Sequence, residues 1–141
     1  MRRMGQVVLS KTDAWVFMAI GKPMFGWDRL SDVVFSLDYL NRTMPSEAEF
    51  EASVRTLGAA GLIRVSSNGF RQTRAGSARL KRFGLLTGVI AVMLELMSAW
   101  DGLAVPATDE KFQFQLKPGE WQRAQAEYEV RRAELTGKFK K

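Results

Sequence analysis

The chain has 141 residues, 46% of them hydrophobic and 26% charged, which suits one compact domain or a small core with a helical extension. It contains no cysteine and no histidine. That excludes disulfides, thiolate nucleophiles, zinc fingers and the commonest general base and transition-metal ligand, so the sequence points to no enzyme, cofactor or metal site.

Arg2 and Arg3 open the chain, but no apolar run of signal-peptide length follows them. The most apolar stretch, Leu85 to Trp100, is sixteen residues long and carries Glu95. A spanning helix needs about 20 apolar residues, so the stretch is read as a buried helix and the cytoplasm is the expected compartment. The net charge of +6 is unevenly spread. Residues 1–51 sum to −1 and residues 95–141 to zero, whereas 52–94 hold seven cations and no acid. Such a block is either a solvated surface or a patch for phosphates or an acidic partner.

In chain order, Ser10 to Ile20 reads as a first helix. Ser10 caps it and Asp13 reaches back in a capping box. Trp15, Val16, Phe17, Met18 and Ile20 make it apolar on most sides, hence largely buried. Gly21-Lys22-Pro23 ends it. A second helix is expected to start at Asp28 as N-cap, with Leu30, Val33, Val34, Leu37 and Leu40 at helical spacing. Ser46 caps a third helix, with Glu49 in the capping-box position and Phe50, Val54 and Leu57 on its inner face. Gly61 stops it in a left-handed conformation. Residues 62–73 then read as a hairpin turning at Asn68-Gly69, which pairs Ser67 with Phe70, Val65 with Gln72 and Arg64 with Thr73. Ile63, Val65 and Phe70 face inward; Arg64, Ser66, Arg71 and Thr73 face out. Thr73 caps a fourth helix from Arg74 towards Phe83, and Gly76 lets its first turn pack closely. The apolar helix at 85–100 follows. Gly102 to Thr108 reads as a loop, residues 112–116 as a short strand, and a last helix follows Pro118.

Residues 57–65, Leu-Gly-Ala-Ala-Gly-Leu-Ile-Arg-Val, and 70–76, Phe-Arg-Gln-Thr-Arg-Ala-Gly, resemble the stretch in bacterial winged helix-turn-helix regulators where the recognition helix ends, the wing follows and the next helix opens. The resemblance covers roughly residues 9–82. It implies a mostly α fold with a small β-hairpin wing: a winged-helix domain at 9–83 and a C-terminal helical extension at 84–141. It also implies DNA binding and raises transcriptional regulation. Fold alone does not fix function, and a docking module for an acidic protein partner stands as the alternative.

Two features bear on that choice. The third helix would enter the major groove, yet its first turns carry Glu47, Glu49 and Glu51, with only Arg55 to compensate. The wing and fourth helix are better suited to phosphates. Arg64 and Arg71 share the outer hairpin face, and Arg74 follows at a helix start where amides also favour an anion. Arg79, Lys81 and Arg82 extend the basic surface. These seven arginines and lysines would position the domain rather than read bases. Trp15, Trp100, Trp121, Phe50 and Tyr128 are read as core. Phe35 and Tyr39 are either an exposed contact patch or meet the C-terminal helices. The apolar arc of the 85–100 helix is wider than one side of a surface helix. This points to a homodimer with Leu86, Ile90, Met93, Leu94 and Met97 at the contact, unless the last helix covers the arc.

Overall fold

A computed structural model describes residues 5–21, 26–83 and 88–139. Leu86 therefore lies outside the described residues, as does the side chain of Arg82. The fold is mostly helical with a small antiparallel hairpin. The order is β1 (Gln6–Val8), α1 (Lys11–Ala19), α2 (Leu30–Asn41), α3 (Glu47–Ala59), β2 (Ile63–Ser66), β3 (Gly69–Gln72), α4 (Arg74–Ala78) with a 3₁₀ turn Arg79–Phe83, α5 (Val89–Trp100), β4 (Ala104–Pro106) and α6 (Glu120–Phe139).

Helix α1 is the hub, packed against α2, α3 and α5. Its burial on most sides follows from its all-round apolar composition. Ser10 Oγ accepts from Asp13 N–H at 3.1 Å and Asp13 returns the bond to Ser10 N–H at 2.9 Å. Burial raises the Asp13 carboxyl above its ordinary value, while hydrogen bonds from Ser53 on α3 and from Ser10 pull it back. The Trp15 indole N–H donates to the Leu37 carbonyl at 3.0 Å, tying α1 to α2. Helix α3 starts and stops as its sequence predicts. Ser46 and Glu49 form the capping box. At the other end Gly61 takes φ +72°, Gly61 N–H bonds to Gly58 O and Leu62 N–H to Leu57 O, the two bonds of a Schellman stop.

Four expectations are corrected. First, Asp28 is not the N-cap of α2. Arg29 occupies that position, its N–H bonded to Asp32 at 3.0 Å. Asp28 instead exchanges two 2.8 Å backbone bonds with Phe70, making a third strand-like residue beside the hairpin. Second, the hairpin turns at Ser67-Asn68, with Arg64 opposite Arg71 and Val65 opposite Phe70. The Asp28 chain holds Phe70 in the ladder and presses on Gly69, where an added Cβ would lie 2.0 Å from the Asp28 carbonyl oxygen. The shift is two residues, an even number, so the inner and outer faces stay as read from sequence. Third, residues 112–116 form no strand. Their alternation is genuine, but the partner is a helix: Phe112 packs on Gly58 and Phe114 on Phe50, so the segment lies along α3 as a strap. Fourth, part of the 102–108 loop is β4, paired with β1 from Gln6↔Pro106 to Val8↔Ala104. Both strands are only three residues long, and proline at the end of one masks its signal.

The expected core at 9–83 and extension at 84–141 contribute to one hydrophobic cluster, which includes Phe17, Leu37, Phe50, Leu96, Leu116 and Trp121. Trp15, Trp100, Trp121, Phe50 and Tyr128 are all buried in it. Met93, expected at a dimer contact, is only 1% exposed. It shares the inward face of α5 with Leu96 and Trp100, so the core claims it. Ile90 and Leu94 point outward and Met97 is half-buried. Among the described residues no helix is long and apolar enough to cross a membrane.

Helix α6 is locked onto α2 by Tyr128, whose hydroxyl donates to Asp38 while its ring meets Phe35 edge-on. Burial, then the bond to the Asp38 carboxylate, pushes the phenol from 10.0 up to about 12. Folding therefore favours the neutral phenol. Its contribution is complete below pH 10 and is lost as pH rises towards 12. Urea denaturation across that window should show the stability gap between wild type and Tyr128→Phe shrinking as pH rises. A gap that stays constant would show that the bond is not what holds the helix.

Candidate functional site

The outer face of the β2–β3 hairpin, α4 and the C-terminal end of α3 enclose an open groove of about 1060 Å³. Arg64, Arg71, Arg74 and Lys81 line it together with Thr73 and Ser77. Four of the seven expected cations thus converge. Arg55 stands apart: its guanidinium donates to the Phe114 carbonyl at 3.2 Å and lies 4.0 Å from Glu51. Arg79 faces the other side of α4, where it edges an apolar groove with Leu62, Trp100 and Leu103.

The groove is built from the backbone outward. Thr73 ends the hairpin and caps α4. Its hydroxyl accepts from Gly76 N–H at 2.9 Å and donates to the Gly61 carbonyl at 2.7 Å, binding α4 to the stop of α3. Helix α4 has five residues, so its dipole is small, and one of its first N–H groups is already taken by Thr73. The electrostatics therefore rest on the side chains. Arg64 and Arg71 are direct cross-strand partners. Like charges in that position repel. Among the described residues no carboxylate lies within salt-bridge distance of either, or of Arg74 or Lys81. Arg71 is held by the Trp27 ring, 4.3 Å from guanidinium carbon to centroid. That contact orients the cation without neutralising it. Asp109 sits at the groove wall as an opposing charge, its backbone N–H fixed to Ala59 O at 2.9 Å.

The three α3 glutamates are engaged elsewhere. Glu49 accepts from Ser46, and those bonds hold its carboxyl below the ordinary value. Glu51 accepts from Leu116 N–H at 3.2 Å, and Glu47 from the Gln122 amide at 3.3 Å. Two of them therefore pin the strap and the start of α6 along one flank of α3. Trp27 and Gln72 are the groove-supporting residues that sequence reasoning missed. Trp27 fits the apolar period of neither neighbouring helix, and that misfit is the one signal that marks it. Among the described residues no group of three or more acids is gathered as a metal site requires. Comparison with protein-family models, with curated proteins and with solved structures finds no match to this chain.

The geometry makes Gly76 the seat of α4. A Cβ there would lie 2.2 Å from the Leu62 carbonyl oxygen and 2.9 Å from the Phe17 ring. Alanine ordinarily favours a helix by about 1 kcal/mol over glycine. Here overpacking against backbone should outweigh that, and Gly76→Ala should lose about 1–3 kcal/mol in urea denaturation. A variant as stable as wild type would mean that α4 is free to shift, and the groove with it.

Proposed function

We propose that this chain is a non-enzymatic winged helix-turn-helix protein that binds DNA, as a transcriptional regulator does, with the hairpin as its wing. The observation that carries the reading is the cross-strand Arg64–Arg71 pair, unneutralised among the described residues and flanked by Arg74 and Lys81. Such a cluster is unfavourable by itself, and a phosphate backbone relieves it. The order of three helices, hairpin and helix supports the same reading. So does the Asp28–Phe70 bridge, which braces the wing from the segment before α2.

The contacts are positioning contacts. Helix α3 brings Glu49 near its start and has the strap along one flank, so base readout by that helix is disfavoured. Four phosphate contacts correspond to a slope of roughly −3.6 in log affinity against log salt, at about 0.9 per contact. The second reading, a module docking an acidic protein partner through the same groove, is favoured by that acidic and partly covered helix.

Binding of an unrelated duplex, followed by fluorescence anisotropy against salt, tests the proposal. Wild type should bind at low salt and weaken steeply. Replacing Arg64, Arg71 and Arg74 together by alanine should flatten the slope by about 2.7, three contacts at about 0.9 each. Absence of binding at low salt, or an unchanged slope, would overturn the DNA reading and leave the acidic-partner reading.

A further inference from the structure

Helix α5 presents aliphatic side chains to solvent. Val89 is 44%, Ile90 46% and Leu94 58% exposed. Ile90 and Leu94 are one helical turn apart, and the half-buried Met97 continues the ridge. Beside the ridge lies a socket of about 540 Å³, walled by Phe35, Tyr39, Tyr128 and Ile90 and lined as well by Asp38, Arg42 and Arg132. Phe35 and Tyr39 stack on each other at the socket edge and stay 38% and 61% exposed. Ridge and socket are contiguous, because Ile90 belongs to both, and the aromatic wall of the socket extends the aliphatic ridge. Large contiguous patches of this kind mark interaction sites.

We infer that a second copy of this chain covers this face, with Leu94 of each copy seated in the socket of the other about a two-fold axis. A knob and a hole on the same face are what an isologous contact requires. The charges agree. Helix α5 carries one charged side chain, the exposed Glu95, immediately after the knob. The socket rim carries two arginines, and among the described residues neither lies in a salt bridge. Asp38, which also lines the socket, accepts a hydrogen bond from the Tyr128 hydroxyl and adds one negative charge there, so the two arginines remain in excess. Each copy thus brings an exposed acid beside its knob and an excess of exposed cations around its socket, which are placed to pair with each other across the contact. A purely aliphatic partner would leave all of those charges unmatched, and a lipid surface, whose phosphates suit the arginines, would still leave Glu95 unmatched.

Size-exclusion chromatography with light scattering on the full chain tests this. Wild type should run at about twice 15.9 kDa. Leu94→Asp should run as a monomer with unchanged circular dichroism, since an exposed position tolerates substitution. Glu95→Arg keeps the apolar knob and should weaken dimerisation by roughly tenfold, the scale of a close interfacial charge pair. Adding Arg42→Glu and Arg132→Glu to Glu95→Arg should restore it. A wild-type mass near 15.9 kDa at every concentration overturns the inference. So does a dimer that neither Leu94→Asp nor Glu95→Arg disturbs.

Discussion

One buried amide ties the wing side of the molecule to the hub helix. Gln72, 2% exposed, donates from Nε2 to the Phe17 carbonyl at 3.1 Å and the Ile20 carbonyl at 2.8 Å. Its Oε1 accepts from the Ser77 hydroxyl at 2.9 Å, and its backbone N–H bonds to Gly21 O at 2.8 Å. The last carbonyls of a helix lack intrahelical partners and are costly to bury alone. Gln72 supplies the Ile20 carbonyl and gives the Phe17 carbonyl a second donor beside Ile20 N–H, while clamping the end of the hairpin and α4 to the hub. Loss of the amide would leave the Ile20 carbonyl without this donor and release the Ser77 hydroxyl, because the members of such a network support one another.

From this clamp follows the division of charge across the surface. The hairpin can place Arg64 and Arg71 side by side because its inner face is held by Gln72, Phe70 and Ile63 rather than by its outer residues. The acids that sequence proximity would bring into play are drawn into other work. Glu49 closes a cap, and Glu47 and Glu51 hold the strap and α6. The groove therefore owes its sign as much to where the acids are bound as to where the arginines stand.

Caps, stops and core helices were legible in the residues. Ser10, Ser46, Thr73 and Gly61 act through bonds to neighbours three or four positions away, and local chemistry announces local structure. Long-range pairing was not legible. Asp28 looks like a helix cap until Phe70 takes its backbone, and Asn68-Gly69 looks like a turn until Asp28 crowds the glycine. The strap keeps a strand's alternation because one side packs on α3 and the other meets water, a pattern that cannot say whether the partner is sheet or helix. At the groove, Arg64, Arg71, Arg74 and Lys81 could be grouped because hairpin and helix are contiguous in sequence. The diversion of Arg55 could not, since it depends on Phe114, 59 residues away.

The β1–β4 ladder has a consequence for how the chain is made. Gln6 can find Pro106 only after some hundred intervening residues have been synthesised, and the aromatic wall of α3 closes only when Trp121 follows. An N-terminal segment emerging from the ribosome can form α1 to α4 but must wait, with Phe50 and Leu9 not yet covered, for its last partners. Such late, non-local closure slows folding and lengthens the exposure of apolar surface. Part of the apolar surface of α1 and α3 thus finds its cover only in residues far later in the chain.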